Sequence, residues 1–198
     1  LERVEELKKK YIFKVHVDAV QTVGKICNWQ ELNKVVDAYT FSAHKFCALK
    51  GCGFSLMKNS FEITPLIRGG GQQNGLRSGT ENTLSIMSIP LALNEIIDNY
   101  NYDEQNKAKT FFEHQLISSM GSQGEVVGFH DNNRNGNTIY FILYNTKAQI
   151  SATAFDMAGI EVSNGSACSS GAVLPSRVLM SMGYSEDYAK SAIRLSFS

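Results

Sequence analysis

The chain lacks an excess of either charge: nineteen Lys and Arg offset nineteen Asp and Glu over 198 residues. That argues against a nucleic-acid binder or an acidic-membrane binder driven by bulk charge. It also lacks any apolar run of the length a bilayer span requires. The opening residues LERVEELKKK do not read as a charged-then-apolar leader. Its four cysteines (Cys27, Cys47, Cys52 and Cys168) have no paired spacing, which argues against a disulfide framework and a structural zinc site. A reducing, cytoplasmic setting fits this cysteine usage. What remains, 43% hydrophobic and 19% charged residues, is a globular chain with room for one ordinary domain or two small ones.

The pattern along the chain alternates strands and helices. Leu1, Val4 and Leu7 draw the apolar stripe of an amphipathic helix that starts partway along. The last residues, Ile193 to Ser198, read as a strand without an exit turn. Both ends suggest a piece of a longer protein. Strands are expected over 11–17, 38–41 and 53–57, the last closed by a turn at Lys58-Asn59. Asn28 with Glu31 could cap a short helix reaching Val35. Residues 68–80, RGGGQQNGLRSGT, hold five glycines and form a loop. Ser78 and Glu81 stand at capping-box spacing before a long helix that Pro90 should kink or split. A further helix over 103–120 places Phe112, Leu116 and Met120 on one face. Beyond Gly121 come short strands over 125–129, 138–144 and 160–162, a helix over 149–158 closed by Gly159, and a helix after Pro175. The first part reads as α/β, and the part after residue 120 as a smaller α+β unit.

Several residues could carry chemistry. Asp18 ends the strand in VHVDAVQ, where ligands of open α/β sheets collect. It either holds a cation or caps a turn. Lys45, in YTFSAHK, is a candidate imine-forming amine, with Ser42 and His44 beside it as phosphate donors. From composition alone Lys50 is an equal candidate. The 68–80 loop, with Arg68 and Arg77, either cradles an anion or links two units, and it does not fit the nucleotide P-loop pattern. Cys168 lies in SNGSACSSG, where small and polar neighbours favour an exposed, reactive thiol. Cys27, Cys47 and Cys52 read as core. Arg194, inside the final strand, requires an anionic partner, either a structural carboxylate or a substrate's. His16, His114 and His130 show no metal-ligand spacing.

In order along the chain, HVDAVQ, FSAHK, KGCG, GGGQQNGLRSGTEN and SNGSACSSG followed by IRLS resemble the NifS/IscS-like cysteine desulfurases. These form a branch of the class V aminotransferases that uses pyridoxal 5'-phosphate. The resemblance runs from Phe13 to Ser198. It implies the fold type I of these transferases: residues 1–120 would be the C-terminal portion of the cofactor-binding large domain with its connecting helix, and residues 121–198 the small α+β domain with the cysteine loop. It implies that Lys45 carries the cofactor as an imine and returns as general base on the substrate Cα. Asp18 pairs with the pyridine nitrogen, Gln21 with the ring's phenolic oxygen, and Ser42 and His44 with the phosphate. Thr80 reaches the phosphate of a neighbouring subunit in a homodimer with shared sites. Arg194 clamps the carboxylate of L-cysteine, and Cys168 accepts its sulfur as a persulfide, leaving L-alanine. Partners would be a sulfur acceptor or scaffold protein of iron–sulfur assembly or tRNA thiolation, without nucleic-acid or membrane binding by the enzyme itself. A selenocysteine lyase or another class V enzyme is the near alternative; an inactive fragment that docks sulfur acceptors is the alternative of another kind. Gln73 and Asn74 stand where an acidic–basic pair is usual, Leu174 where a polar residue is common, and the family's upstream half is absent from these residues.

Overall fold

The computed structural model describes residues 2–26, 34–131, 134–164 and 174–197. They divide into two compact units, Leu1–Tyr102 and Asp103–Ser198. The helix reaching Val35 from Asn28 and the loop with Cys168 lie outside or largely outside the described residues.

The first unit opens with helix α1 (Glu2–Lys10) and a three-stranded sheet of β1 (His16–Asp18), β2 (Ala38–Ser42) and β3 (Gly53–Met57). The order is β1-β2-β3, with β1 parallel and β3 antiparallel to β2. β1 is shorter than the run 11–17 suggests. Residues 11–14 are exposed and outside the ladder, and pairing starts only where the Asp37 and Ala38 amides donate to Val15 O at 2.8 and 3.1 Å. Asp37 fixes this start. Its carboxylate accepts from Val15 N at 2.8 Å and Lys8 Nζ at 2.6 Å, with Lys58 Nζ 3.7 Å away. The Lys8 bond is the main reason its carboxyl is held below the ordinary carboxylate range.

Strand alternation gives this sheet two unlike faces. Val17, Tyr39, Phe41 and Phe54 pack with Ala19, Val36, Val15 and Val23, and Phe41 stacks on Phe54 at 4.7 Å. Asp18, Thr40 and Ser55 share the register row on the opposite face. There His16 Nε2 meets Thr40 Oγ1 at 2.8 Å. At the end of the β2–β3 pair, a Cβ on Gly53 would lie 2.3 Å from Phe41 O, so only glycine permits this approach.

After the loop comes helix α2 (Thr83–Asn99), which runs unbroken through Pro90. The ring removes the donor that would meet Ile86 O, and Ile86 is itself solvent-exposed, so water can serve that carbonyl. The cap is Asn82, whose side chain accepts from Ser85 N at 3.2 Å. Ser78, expected to cap, instead donates to Ile67 O at 3.0 Å, so its hydroxyl closes the loop rather than the helix.

The second unit holds α3 (Tyr102–Met120), β4 (Gly124–Val126), β5 (Thr138–Leu143), α4 (Ala148–Met157), β6 (Ser163–Asn164), α5 (Arg177–Ser181), α6 (Glu186–Lys190) and β7 (Ala192–Ser196). Its antiparallel sheet has the order β4-β5-β7-β6. One face, Ile139, Phe141, Ile193 and Leu195, packs with Phe112, Leu116, Met120 and Phe155 of α3 and α4. The other, Ile142 and Ala192, packs with Leu179 and Ala189 of α5 and α6. Ile139, Phe141, Ile142 and Ile193 are fully buried, each contributing about 1.5–3 kcal/mol of transfer free energy. β4 stops early because Gly128 turns the chain at φ 65°. α6 has its own cap, Ser185, yet five residues are too few for a readable apolar period.

Candidate active site

The two parallel strands β1 and β2 bring their carboxyl ends side by side, and the expected cofactor residues lie on the turns that leave them. Asp18 is the last residue of β1 and is exposed. Its Oδ1 accepts from Val20 N at 3.1 Å, and the Ala19 amide donates to Thr40 O at 2.9 Å, pinning the turn to β2. The turn is tightened by Thr22 Oγ1 and Thr22 N, which donate to Ala19 O at 2.7 and 3.1 Å. Gly24, at φ +66°, lies against Ile96 of α2. On this turn Lys25 Nζ donates to Gln21 Oε1.

Ser42 ends β2, and Ala43–Phe46 then winds into a single 3-10 turn. Its apolar residues, Ala43 and Phe46, are buried, which leaves His44 and Lys45 exposed on the outside. Ser42 Oγ and His44 Nδ1 are 2.9 Å apart. Cys47, left-handed at φ 69°, closes the turn with its amide on Ala43 O. The following loop is clamped to α2: Leu49 N donates to Ser88 Oγ at 3.0 Å, and Ser85 Oγ to Lys50 O at 3.2 Å. Lys45 therefore sits on a turn fixed from both sides.

Lys45 and Cys47 lie close enough to act on Lys25. Burial is the main cause that lowers the Lys25 ammonium below its ordinary range; the Lys45 charge lowers it further, and Cys47 opposes both. Lys25 was not among the residues singled out from the sequence, although its four-residue spacing from Gln21 was there to be read. Cys47 and Cys52 are not core residues as expected. Cys47 is exposed and Cys52 half-buried, because one closes an outward turn and the other meets Ser85 O at 3.2 Å.

Thr80 is exposed in the loop before Asn82, and no described contact joins it to Lys45. The loop turns through left-handed Gln73 and Asn74; Gln73 Nε2 donates to Glu81 and Gln72 accepts from Gly79 N. Arg194, in the second unit, is half-buried in β7, opposite Tyr140 and Ser163. It donates to Ser163 Oγ at 3.3 Å, and no carboxylate pairs with it among the described residues. Among these residues its anion-binding capacity is largely unspent. Cys168 lies outside the described residues. No cluster of metal ligands occurs among the described residues, and no described helix is long and apolar enough to cross a membrane.

An amine on a fixed turn, a carboxylate on the adjoining strand end, and hydroxyl and imidazole donors between them form one donor set. It suits a phosphorylated pyridine aldehyde, and these residues fit pyridoxal 5'-phosphate. The whole chain, residues 1–198, matches the family Aminotransferase class-V, and the chain belongs to that family. Cysteine desulfurase IscS of Clostridium botulinum is 32% identical over 99% of this chain and 50% of its own length. Cysteine desulfurase IscS of Dictyoglomus turgidum is 34% identical over 98% and 49%. The crystal structure of a NifS-like protein from Rickettsia africae superposes with a TM-score of 0.82 at 36% identity, over 98% of this chain and 51% of that one. The chain thus spans about half the length of the curated relatives it matches. The architecture is the mixed α/β one of the fold type I transferases to which NifS-like proteins belong, a family that generally works with pyridoxal phosphate.

Proposed function

We propose that the complete protein is a cysteine desulfurase that takes sulfur from L-cysteine onto Cys168 and releases L-alanine. The observation that carries this reading is the placement of Lys45 and Asp18 on adjoining carboxyl ends of two parallel strands, in a chain about a third identical to cysteine desulfurases.

Lys45 would hold pyridoxal phosphate covalently, Asp18 its ring nitrogen, Gln21 its phenolic oxygen, and Ser42 and His44 its phosphate. Bound there, the cofactor supplies an electron sink for the pair left when the substrate Cα loses a proton. The Nζ of Lys45 takes that proton as a free amine. Arg194 binds the substrate carboxylate as a bidentate donor. The thiolate of Cys168 attacks the substrate sulfur; the carbon–sulfur bond breaks, and Cys168 is left as a persulfide. A sulfur-acceptor protein of iron–sulfur assembly or tRNA thiolation then takes that sulfur. Thr80 would serve the phosphate of a second subunit in a homodimer. In support, Leu84, Met87 and Leu91 form an exposed apolar stripe on α2 at 70–72% exposure, a surface suited to a further protein face. The unpaired thiols Cys47 and Cys52 are in keeping with a reducing cytoplasm.

Borohydride reduction of the complete gene product loaded with pyridoxal phosphate, followed by peptide mapping, tests the central role. The tag is expected on Lys45; a tag elsewhere, or none, overturns the assignment. Cys168→Ser should keep cofactor binding and the spectral response to L-cysteine while losing nearly all sulfide release. Full turnover in that variant rules Cys168 out as the acceptor.

A further inference from the structure

The Gln21–Lys25 contact decides which way a site amide faces. Gln21 carries an acceptor on one side of its carboxamide and two donors on the other, and either could meet a cofactor. A lysine ammonium has donors only. Because Lys25 Nζ donates to Gln21 Oε1, the acceptor side is occupied. The turn is built to keep it so: Thr22 and Asp18 anchor its start, Lys25 N and Ile26 N donate to Thr22 O at 3.0 and 3.3 Å, and Gly24, itself against Ile96 of α2, supplies the left-handed residue just before Lys25. Lys45 lies near enough for its charge to be felt at Lys25, so the ammonium that holds the Gln21 amide also neighbours the turn of the candidate imine-forming lysine.

We propose that Lys25 is a positioning residue for the cofactor site: it locks the Gln21 carboxamide so that Gln21 meets the cofactor's ring oxygen only as a donor. This rests on the reading of Lys45 as the cofactor lysine. Without the ammonium the amide is free to rotate and present its acceptor, which repels an anionic ring oxygen and raises the proton affinity of the chromophore.

The test uses the complete gene product loaded with pyridoxal phosphate and reads the pH midpoint of its visible absorption band. In Lys25→Met the midpoint should rise by on the order of one pH unit, whereas Lys25→Arg, which keeps a cationic donor, should stay near the parent. In a Gln21→Leu background, Lys25→Met should add little, since the amide through which it acts is gone. An unmoved midpoint in Lys25→Met overturns the proposal. So does an equal shift in both backgrounds, which assigns the effect to the charge alone. If Lys25→Met takes up no cofactor, restoration by Lys25→Arg supports the role and its absence overturns it. A parent protein without the band sinks the cofactor reading and this proposal together; a parent band with an unmoved Lys25→Met midpoint sinks only this one.

Discussion

The two units solve opposite problems with similar sheets. In the second, both faces of the four-stranded sheet are covered by helices, and two charged side chains are sealed in with them. Glu113 is 1% exposed and Lys109 3%; Arg134 forks onto Glu113 at 2.6 and 3.0 Å, and Lys109 Nζ donates to Asn135 O at 2.7 Å. In the first unit only one face of the sheet is covered by the described core. The other shows His16, Asp18, Thr40 and Ser55 to solvent or to a ligand. A sheet whose two faces are both spent on packing is a brace. A sheet with one polar face left open can hold a small molecule, at the cost of less buried apolar area.

This contrast can be pressed until it breaks. The largest effect should come from Glu113→Ala, which takes the carboxylate from half-buried Arg134 and a nearby negative charge from buried Lys109. About 3–5 kcal/mol of stability should be lost, with limited proteolysis opening the second unit first. A loss below about 1 kcal/mol, the range of an exposed pair, would place this ion cluster in water after all.

Asp37→Asn comes next. It removes a carboxylate that joins α1 to the start of the sheet, and about 2 kcal/mol should be lost. The pH dependence sharpens this. The folded Asp37 carboxyl titrates below its ordinary value of 3.8, so the folded state holds the charged form more tightly than the unfolded chain does. Its contribution is full above that ordinary value and drains away as pH falls through the lower, folded one. The parent should therefore lose part of its thermal stability on acidification that the Asn variant has already lost. Parallel melting-temperature curves for the two would contradict this.

The smallest effect is expected on the open face. Thr40→Val deletes contacts to His16 Nε2 and Ser55 Oγ at 2.8 and 3.3 Å, yet water replaces them, and stability should change by less than about 0.5 kcal/mol. A larger loss in chemical denaturation would show that this face is a structural network and not a site.

Lys45, Asp18 and Arg194 stood at strand ends or within a strand, and the structure puts them on β1, β2 and β7 or the turn that follows. The 53–57 strand and the 103–120 helix were legible, and that helix packs Phe112, Leu116 and Met120 into the second unit's core. Ser78 misled because a hydroxyl three residues before an acid resembles a cap, while Asn82 stood closer to the helix and won. Cys47 misled because apolar neighbours do not reveal a left-handed turn that swings the residue outward. Lys25 escaped notice because its partner was already assigned a role, and the fold, not the spacing, folded it back.

One atom-sized detail reaches further than its place suggests. At Gly53 the space beside Phe41 O is filled by a hydrogen and would not accept a methyl. Alanine there would prise apart the neck of the hairpin opposite Ser42, three residues before Lys45. Such a lesion would displace the lysine without touching it, so a natural variant altered at this position would speak of carpentry and not of chemistry.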